Sequence, residues 1–305
     1  MFVLALILLF PAIVFAQGNF TPSTLPHSFC YRPAERSLLE TGFGYSMGFN
    51  EILFRNGDNV NFAPVRKQVG LDSFAFSVQG ETFVSPDLAL RIQGWINVPQ
   101  EIRSNFFLGQ DSQSPSGGHH VSRSWDTKAR YIEGDLAATY FFGLYGMPYA
   151  AGLTAGYRYN DLDYRSLQVS APGYFHDHFQ VHIPYFGVYY VHAGLLGSLV
   201  RLDLLTSPFT MSRLDSNLLF QFNSSSPERL PTEITGYSLL GFWFESVLDC
   251  AVPVGRGAFV GAFAKYDYLE LSGWAKFEDR DKATNFAMDS RKHLFVGGVN
   301  VSYRF

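Results

Sequence analysis

The chain has 305 residues, of which 17% are aromatic and only 16% charged, with a formal net charge of -4 and a pI of about 6.1. Soluble domains carry about 25% charged residues, and with no basic stripe nucleic acid is excluded as a partner. A helical membrane protein of this size needs several runs of about 18 or more apolar residues; after residue 20 there is none, and mean hydropathy is only +0.01. Apolar content spread by alternation is instead the pattern of a membrane-spanning β-barrel.

Residues 1–16 form an apolar run ending in Val14-Phe15-Ala16, small enough at the outer positions for signal peptidase to cut before Gln17, so export is expected. No Lys or Arg precedes the run, and no Cys follows it directly, which argues against a lipoprotein anchor. Residues 17–36, rich in Pro, Ser and Thr, read as an irregular periplasmic lead-in, and residues 37–305 as one barrel domain.

Taken in order, residues 39–54 give a Gly-rich first strand and 69–83 a second, turned by Ser85-Pro86-Asp87 into a third. There Leu88, Leu90, Ile92, Ile96 and Val98 face one way and Arg91, Gln93 and Asn97 the other, since alternate residues of a strand face opposite ways. The polar stretch 99–126, with Ser114-Pro115-Ser116-Gly117-Gly118-His119-His120, reads as a long loop. A fourth strand over 128–142 sets Ile132, Leu136 and Tyr140 outside and Glu133, Asp135 and Thr139 inside. A fifth over 149–159 places Gly152, Thr154, Gly156 and Arg158 inward, small residues that leave lumen space. In the sixth, 178–191, Phe179, Val181, Ile183, Tyr185, Tyr189 and Val191 are expected on the outer face, opposite Gln180 and His182. The seventh (199–210) sets Arg201 and Asp203 inward, the eighth (234–252) Gly241 and Glu245, the ninth (258–269) Lys265 and Asp267.

The last strand, 291–305, sets Phe295, Val299, Val301, Tyr303 and Phe305 against Val296, Gly298, Asn300, Ser302 and Arg304. Its terminal Tyr-Arg-Phe resembles the final-strand signal of bacterial outer-membrane barrels, which makes Val301, Tyr303 and Phe305 the expected assembly signal. The count is about ten strands with short and long connections in strict alternation, as in outer-membrane barrels. Closure follows because no backbone edge can stay unpaired in lipid. The expected class is therefore all-β, a closed antiparallel transmembrane barrel in the bacterial outer membrane. Both termini are expected in the periplasm and the loops 55–68, 99–126, 160–177, 211–233 and 276–288 outside. The partners expected are outer-membrane lipid, lipopolysaccharide and the barrel-assembly machinery.

This layout resembles the omptins, outer-membrane proteases on a ten-stranded barrel, from about residue 38 to the end. Gly152-Leu153-Thr154-Ala155-Gly156-Tyr157 and Ile183-Pro184-Tyr185-Phe186-Gly187 look like that family's fifth and sixth strands. The resemblance implies fold and topology. It also implies an Asp pair after the third strand and an Asp-x-His pair after the seventh, positioning a water between them. Here the chain offers Asn97, Glu101 and Asp111 in the first place, and Ser212-Arg213-Leu214-Asp215 without His in the second. A carboxylate with no basic partner does not activate water in that way. Porins of chlamydia-related bacteria have similar general features but share no specific motif.

Ten inward residues, Arg91, Glu133, Asp135, Arg158, His182, Arg201, Asp203, Glu245, Lys265 and Asp267, are the expected lumen lining. They either border a narrow channel or pair across the lumen and block it; ten strands lie near the width that side chains fill. His176, Asp177, His178 and His182 cluster at one strand end, but with nothing placed to close a coordination sphere they read as solvated histidines. No catalytic residue, metal or cofactor is assigned. The function expected is a non-enzymatic barrel, porin-like or structural; the alternatives are an endopeptidase using Asp111, Asp215 and His178, or an adhesin. Cys30 and Cys250 are expected free, since strand spacing puts them about 15 Å apart along the wall and a disulfide needs alpha-carbons within about 7 Å.

Overall fold

A computed structural model describes residues 37–55, 65–85, 87–108, 121–142, 149–167, 174–194, 197–216, 234–255, 257–279 and 282–305. They form β1 (Leu38–Arg55), β2 (Val65–Gly70), β3 (Ser73–Ser85), β4 (Leu88–Asn97), β5 (Glu101–Leu108) and β6 (Val121–Phe141). These are followed by β7 (Tyr149–Leu167), β8 (Tyr174–Ala193), β9 (Leu199–Ser216), β10 (Ile234–Pro253), β11 (Ala258–Asp279) and β12 (Lys282–Arg304).

All pairings between neighbours are antiparallel, and β12 pairs with β1 from Leu38↔Arg304 to Arg55↔Ala287, so the sheet closes on itself. β2 and β3 pair in succession with the same strand, β1, and β5 and β4 with the same strand, β6. Each couple is one stave of the wall, which leaves the expected ten-stranded closed barrel. Ser37 and Phe305 meet at one end, here the near end, where the intervals between strands are on the whole the shorter ones; the longest intervals fall at the far end.

The strands run further toward the far end than the sequence suggested. Residues 99–126 contain β5 and the start of β6, and residues 160–177 hold the ends of β7 and β8. β9 continues to Ser216, and β11 and β12 take up nearly all of 276–288. The reason is a reversal of polarity part-way up the wall. In the near half, Phe43, Phe76, Ile92, Leu136, Leu153, Val188 and Val299 are exposed on the outer face, while Asp135, Arg158, Asp203 and Asn300 are buried inside. In the far half the outer face bears Glu51, Arg130, Asp161, His178, Arg213, Glu270 and Arg291, and the interior is packed with Ile52, Phe54, Leu162, Phe179, Leu214, Leu271 and Met288. Lipid outside demands the first arrangement; water outside demands the second, which is that of an ordinary soluble sheet. Both alternate with period two, but with opposite phase.

β8 crosses this boundary, and there the sequence reading placed the wrong face inward. Phe179, Val181, Ile183, Tyr185, Tyr189 and Val191 are all buried inside, whereas Phe186, Val188 and Tyr190 are exposed on the lipid side. Both faces of β8 are apolar around 183–191, so alternation alone did not distinguish them.

The small inward residues of β1 and β7 do not leave open space. A Cβ on Gly156 would meet Tyr185 Cζ at 2.5 Å, so the glycine makes room for the Tyr185 ring. The Phe263 ring lies over Gly42, Gly44 and Gly298, at 3.3, 3.2 and 2.7 Å from where a Cβ would sit, which accounts for the inward glycines of β1.

Candidate functional site

The charged side chains of the near half converge on the barrel axis. Arg158 on β7 is fully buried and is held by three carboxylates: Asp135 at 2.9 Å from Nε, Glu133 at 3.3 Å and Glu245, which it grips with both terminal nitrogens, Nη2 at 2.8 Å. Lys265 on β11 bonds Glu133 (3.0 Å) and Glu245 (2.9 Å) from the opposite wall. Lys292 on β12 reaches Asp267 at 2.8 Å, and Asp267 also accepts a bond from Trp243 Nε1 at 3.1 Å. Aromatic rings floor the assembly. The Arg158 guanidinium lies 4.6 Å from the Trp243 ring centroid and Lys265 Nζ 4.8 Å from that of Trp95, within range for cation–π attraction.

Two further layers flank this one. Toward the near end Arg91 bonds Asp203 at 2.9 Å, and Arg201 joins Glu40 (3.2 Å) to Asp249 (3.0 Å). Toward the far end, inside the apolar packing, Lys67 pairs with Asp177, whose second oxygen accepts from Ser216 at 2.5 Å. A charge taken from water is tolerated only when paired and hydrogen-bonded, and each of these is met by a partner on a different strand.

Nine of the ten residues expected in the lumen, Arg91, Glu133, Asp135, Arg158, Arg201, Asp203, Glu245, Lys265 and Asp267, lie buried inside. His182 does not. It faces outward, with its Nδ1 hydrogen-bonded to the Tyr157 hydroxyl, because it belongs to the reversed face of β8. Sequence reading did not place Lys67, Lys292, Glu40, Asp177 and Asp249 in the lumen, and put Asp177 instead with the histidines at the strand end. Lys292 and Asp249 follow from carrying the inward alternation of Val296 and Glu245 further along their strands, and Asp177 from the correct phase of β8.

The outer wall carries its own pairs at the polarity boundary, built twice on one pattern. Tyr157 bonds His182 and Tyr159 contacts Asp161, which also bonds His178 Nε2 at 2.9 Å. Tyr266 bonds His293 at 3.0 Å, and Tyr268 donates to Glu270 at 2.8 Å, where Arg291 Nε also donates at 2.9 Å. The Tyr268 hydroxyl, with Arg291 beside it, holds the Glu270 carboxyl below its ordinary range. His176 and His178 are thus tied to Asp163 and Asp161 on the wall. Asp215 is also on the outer face, beside Arg213 and in register with His178. Asp111, His119 and His120 lie outside the described residues.

Among the described residues, Glu133, Glu245 and Asp267 could bring three oxygens within ligand distance of a metal ion. The positive charge they require is already supplied by Arg158, Lys265 and Lys292. A cavity of about 20 Å³ beside Trp95 and Lys265 has room for roughly a single water. Val301 and Tyr303 on β12 and Phe305 just beyond it are exposed on the outer face at the near end. Cys250 is a free thiol, half-buried, and Cys30 lies outside the described residues.

No family model and no curated protein matches the chain. Solved structures do. The translocator domain of autotransporter NalP from Neisseria meningitidis shares 12% identity at a TM-score of 0.40, over 88% of each chain. The outer membrane protease OmpT from Escherichia coli is similar at a TM-score of 0.72 and 12% identity, over 93% of this chain and 100% of that one. The chain therefore has the fold of that outer-membrane protein, a closed ten-stranded antiparallel β-barrel.

Proposed function

We propose that this protein is a non-enzymatic outer-membrane barrel with a closed lumen, a structural surface protein rather than a pore. One observation carries the reading: Arg158, fully buried, binds carboxylates from β6 and β10 at once and so occupies the axis where a channel would run. The alternation of short and long connections supports placing both termini in the periplasm and the far end outside. The aromatic and charged belts of the outer wall suit outer-leaflet lipid, lipopolysaccharide included, and the exposed Val301, Tyr303 and Phe305 suit recognition by the assembly machinery. Planar-bilayer recording of the refolded protein tests the central claim. The expected trace is free of discrete openings at neutral pH; regular openings would return the porin-like reading.

A second reading, an endopeptidase, draws on the likeness of fold to OmpT. Its candidates His178 and Asp215 adjoin in register but lie on the outer wall, tied to Asp161 and Arg213. Incubating the refolded protein with basic peptides tests it: cleavage abolished by His178→Ala would establish this reading over the first.

A further inference from the structure

Every pair of neighbouring staves but one is joined by a segment of chain; β12 and β1, at the two ends of the wall, are not. In a hairpin the turn sets the register, so at this seam the strands themselves have to set it. Alternation excludes a slip of one residue, which would turn every inward side chain to the lipid, but it permits a slip of two. What stands at the seam is glycine. From the near end the inward residues of β1 are Leu38, Glu40, Gly42, Gly44, Ser46 and Gly48, and only at Gly42 and Gly44 do two consecutive ones lack a side chain. Gly44 faces Gly298 of β12 in register, and the backbones come so close that a Cβ on Gly298 would lie 2.6 Å from the Gly44 alpha-carbon. The ring of Phe263, reaching over from β11, covers all three glycines. It is buried, and Trp95 of β4 backs it edge to face, with ring centroids 5.6 Å apart.

We propose that Phe263 is the register key of barrel closure: its ring admits β1 beside β12 only where Gly42 and Gly44 pass beneath it. A slip of two residues in one direction brings Ser46 under the ring and in the other Glu40, side chains for which a close-packed interior has no room. Two polar contacts also cross the seam, Ser290 Oγ donating to Asn50 Oδ1 at 3.0 Å and the exposed pair of Arg55 with Asp289. They reward the native register, whereas a side chain beneath Phe263 excludes the others. Building clashes against the alternatives is what makes a pairing specific. The key acts at closure whether or not the lumen conducts, so it stands apart from the closed-lumen reading.

Disulfide trapping in the refolded full chain, with Cys30 and Cys250 changed to Ser, tests it. Thr41→Cys is combined with Val301→Cys, its partner in the native register, or with Val299→Cys or Tyr303→Cys, its partners after a slip of two in either direction. Directly opposed residues have alpha-carbons about 4.5–5.5 Å apart, within reach of a disulfide, and diagonal ones about 7–8 Å apart, outside it. The parent is expected to close only with Val301→Cys. Phe263→Ala is expected to raise the yield of the slipped pairs about ten-fold, within what one overpacked side chain is worth. Phe141→Ala, which removes a buried ring from the other apolar cluster, is expected to leave that yield unchanged. Ser46→Gly reads the key with Phe263 in place: the change lengthens the glycine run beneath the ring, so slippage must appear, and with Tyr303→Cys rather than Val299→Cys. Native closure alone in either Phe263→Ala or Ser46→Gly, or slippage in Phe141→Ala equal to that in Phe263→Ala, would overturn the key. Should Phe263→Ala not fold, the outcome for Ser46→Gly decides by itself.

Discussion

Arg158 on β7 and Glu245 on β10, 87 positions apart in sequence, meet across the barrel axis, Nη2 to Oε1 at 2.8 Å. Removing one partner of a buried ion pair costs about 3–5 kcal/mol, because the other is left charged and unpaired. Arg158→Met leaves Glu133 and Glu245 with Lys265 as their shared cation and Asp135 with the Tyr185 hydroxyl. It is expected to lower the unfolding free energy by about that amount in urea titrations of the vesicle-embedded protein. Adding Glu245→Gln to it recovers part of the loss, since one stranded charge disappears. A single-variant loss below about 1 kcal/mol is the value of a solvated pair and would argue for water in the lumen.

The reversal of polarity along β8 predicts opposite tolerance at two outward positions eight residues apart. Val188 faces lipid and Gln180 faces water. Val188→Arg is expected to cost about 2–4 kcal/mol, and Gln180→Arg to stay within about 0.5 kcal/mol of the parent. Equilibrium folding into phospholipid vesicles measures both, and equal costs would mean the boundary lies elsewhere.

Gly42 is set by space. A Cβ there would lie 2.5 Å from Ser77 Oγ and 3.3 Å from the Phe263 ring. Gly42→Ala is expected to destabilise by about 1–3 kcal/mol, the usual cost of overpacking. Because the closest atom is the hydroxyl of one side chain, Ser77→Ala in the same protein should restore most of it. A double variant no better than Gly42→Ala would place the obstruction at Phe263.

Glu270 gives a pH dependence with a definite sign. Its carboxyl is held below the ordinary range by the Tyr268 hydroxyl and then by Arg291. A depressed carboxylate contributes stability that is present above its unfolded pKa of about 4.3 and lost as pH falls through the lower folded value. The bond between β11 and β12 at this height should therefore persist at pH 5 and loosen only in strong acid. In Tyr268→Phe it should loosen at higher pH. Amide exchange in β11 and β12 near Glu270, followed against pH for both proteins, checks the order.

The near half of the fold was legible because lipid imposes a single rule, apolar outward, and the outward rows of β4, β6, β11 and β12 obey it. The charged lumen residues were found by the same rule, as exceptions on the other face. What failed, failed at the boundary. At Gln180 and His182 the outer face is polar because it meets water, so a rule learned below the boundary assigned these residues inward. The long strand ends were missed for the same reason. Leu269-Glu270-Leu271 and Phe179-Gln180-Val181 alternate as well as any strand, but in the phase of a soluble sheet. Partnership was not legible at all: nothing in the sequence says that Arg158 joins Glu245 rather than Asp203, because that choice depends on how the wall curves.

The charged outer wall of the far half also bears on how the barrel reaches its place. In the orientation proposed above, with both termini periplasmic, Asp161, Asp163, Glu270, Arg213 and Arg291 have to travel from one side of the bilayer to the other before the strands close. Each charge carried singly through hydrocarbon costs several kcal/mol. The pairs that link neighbouring strands, such as Glu270 with Arg291, reduce that barrier only when both strands cross together. Translocation by hairpins, with β11 and β12 as one unit and β7 and β8 as another, is the route on which these residues pass already neutralised.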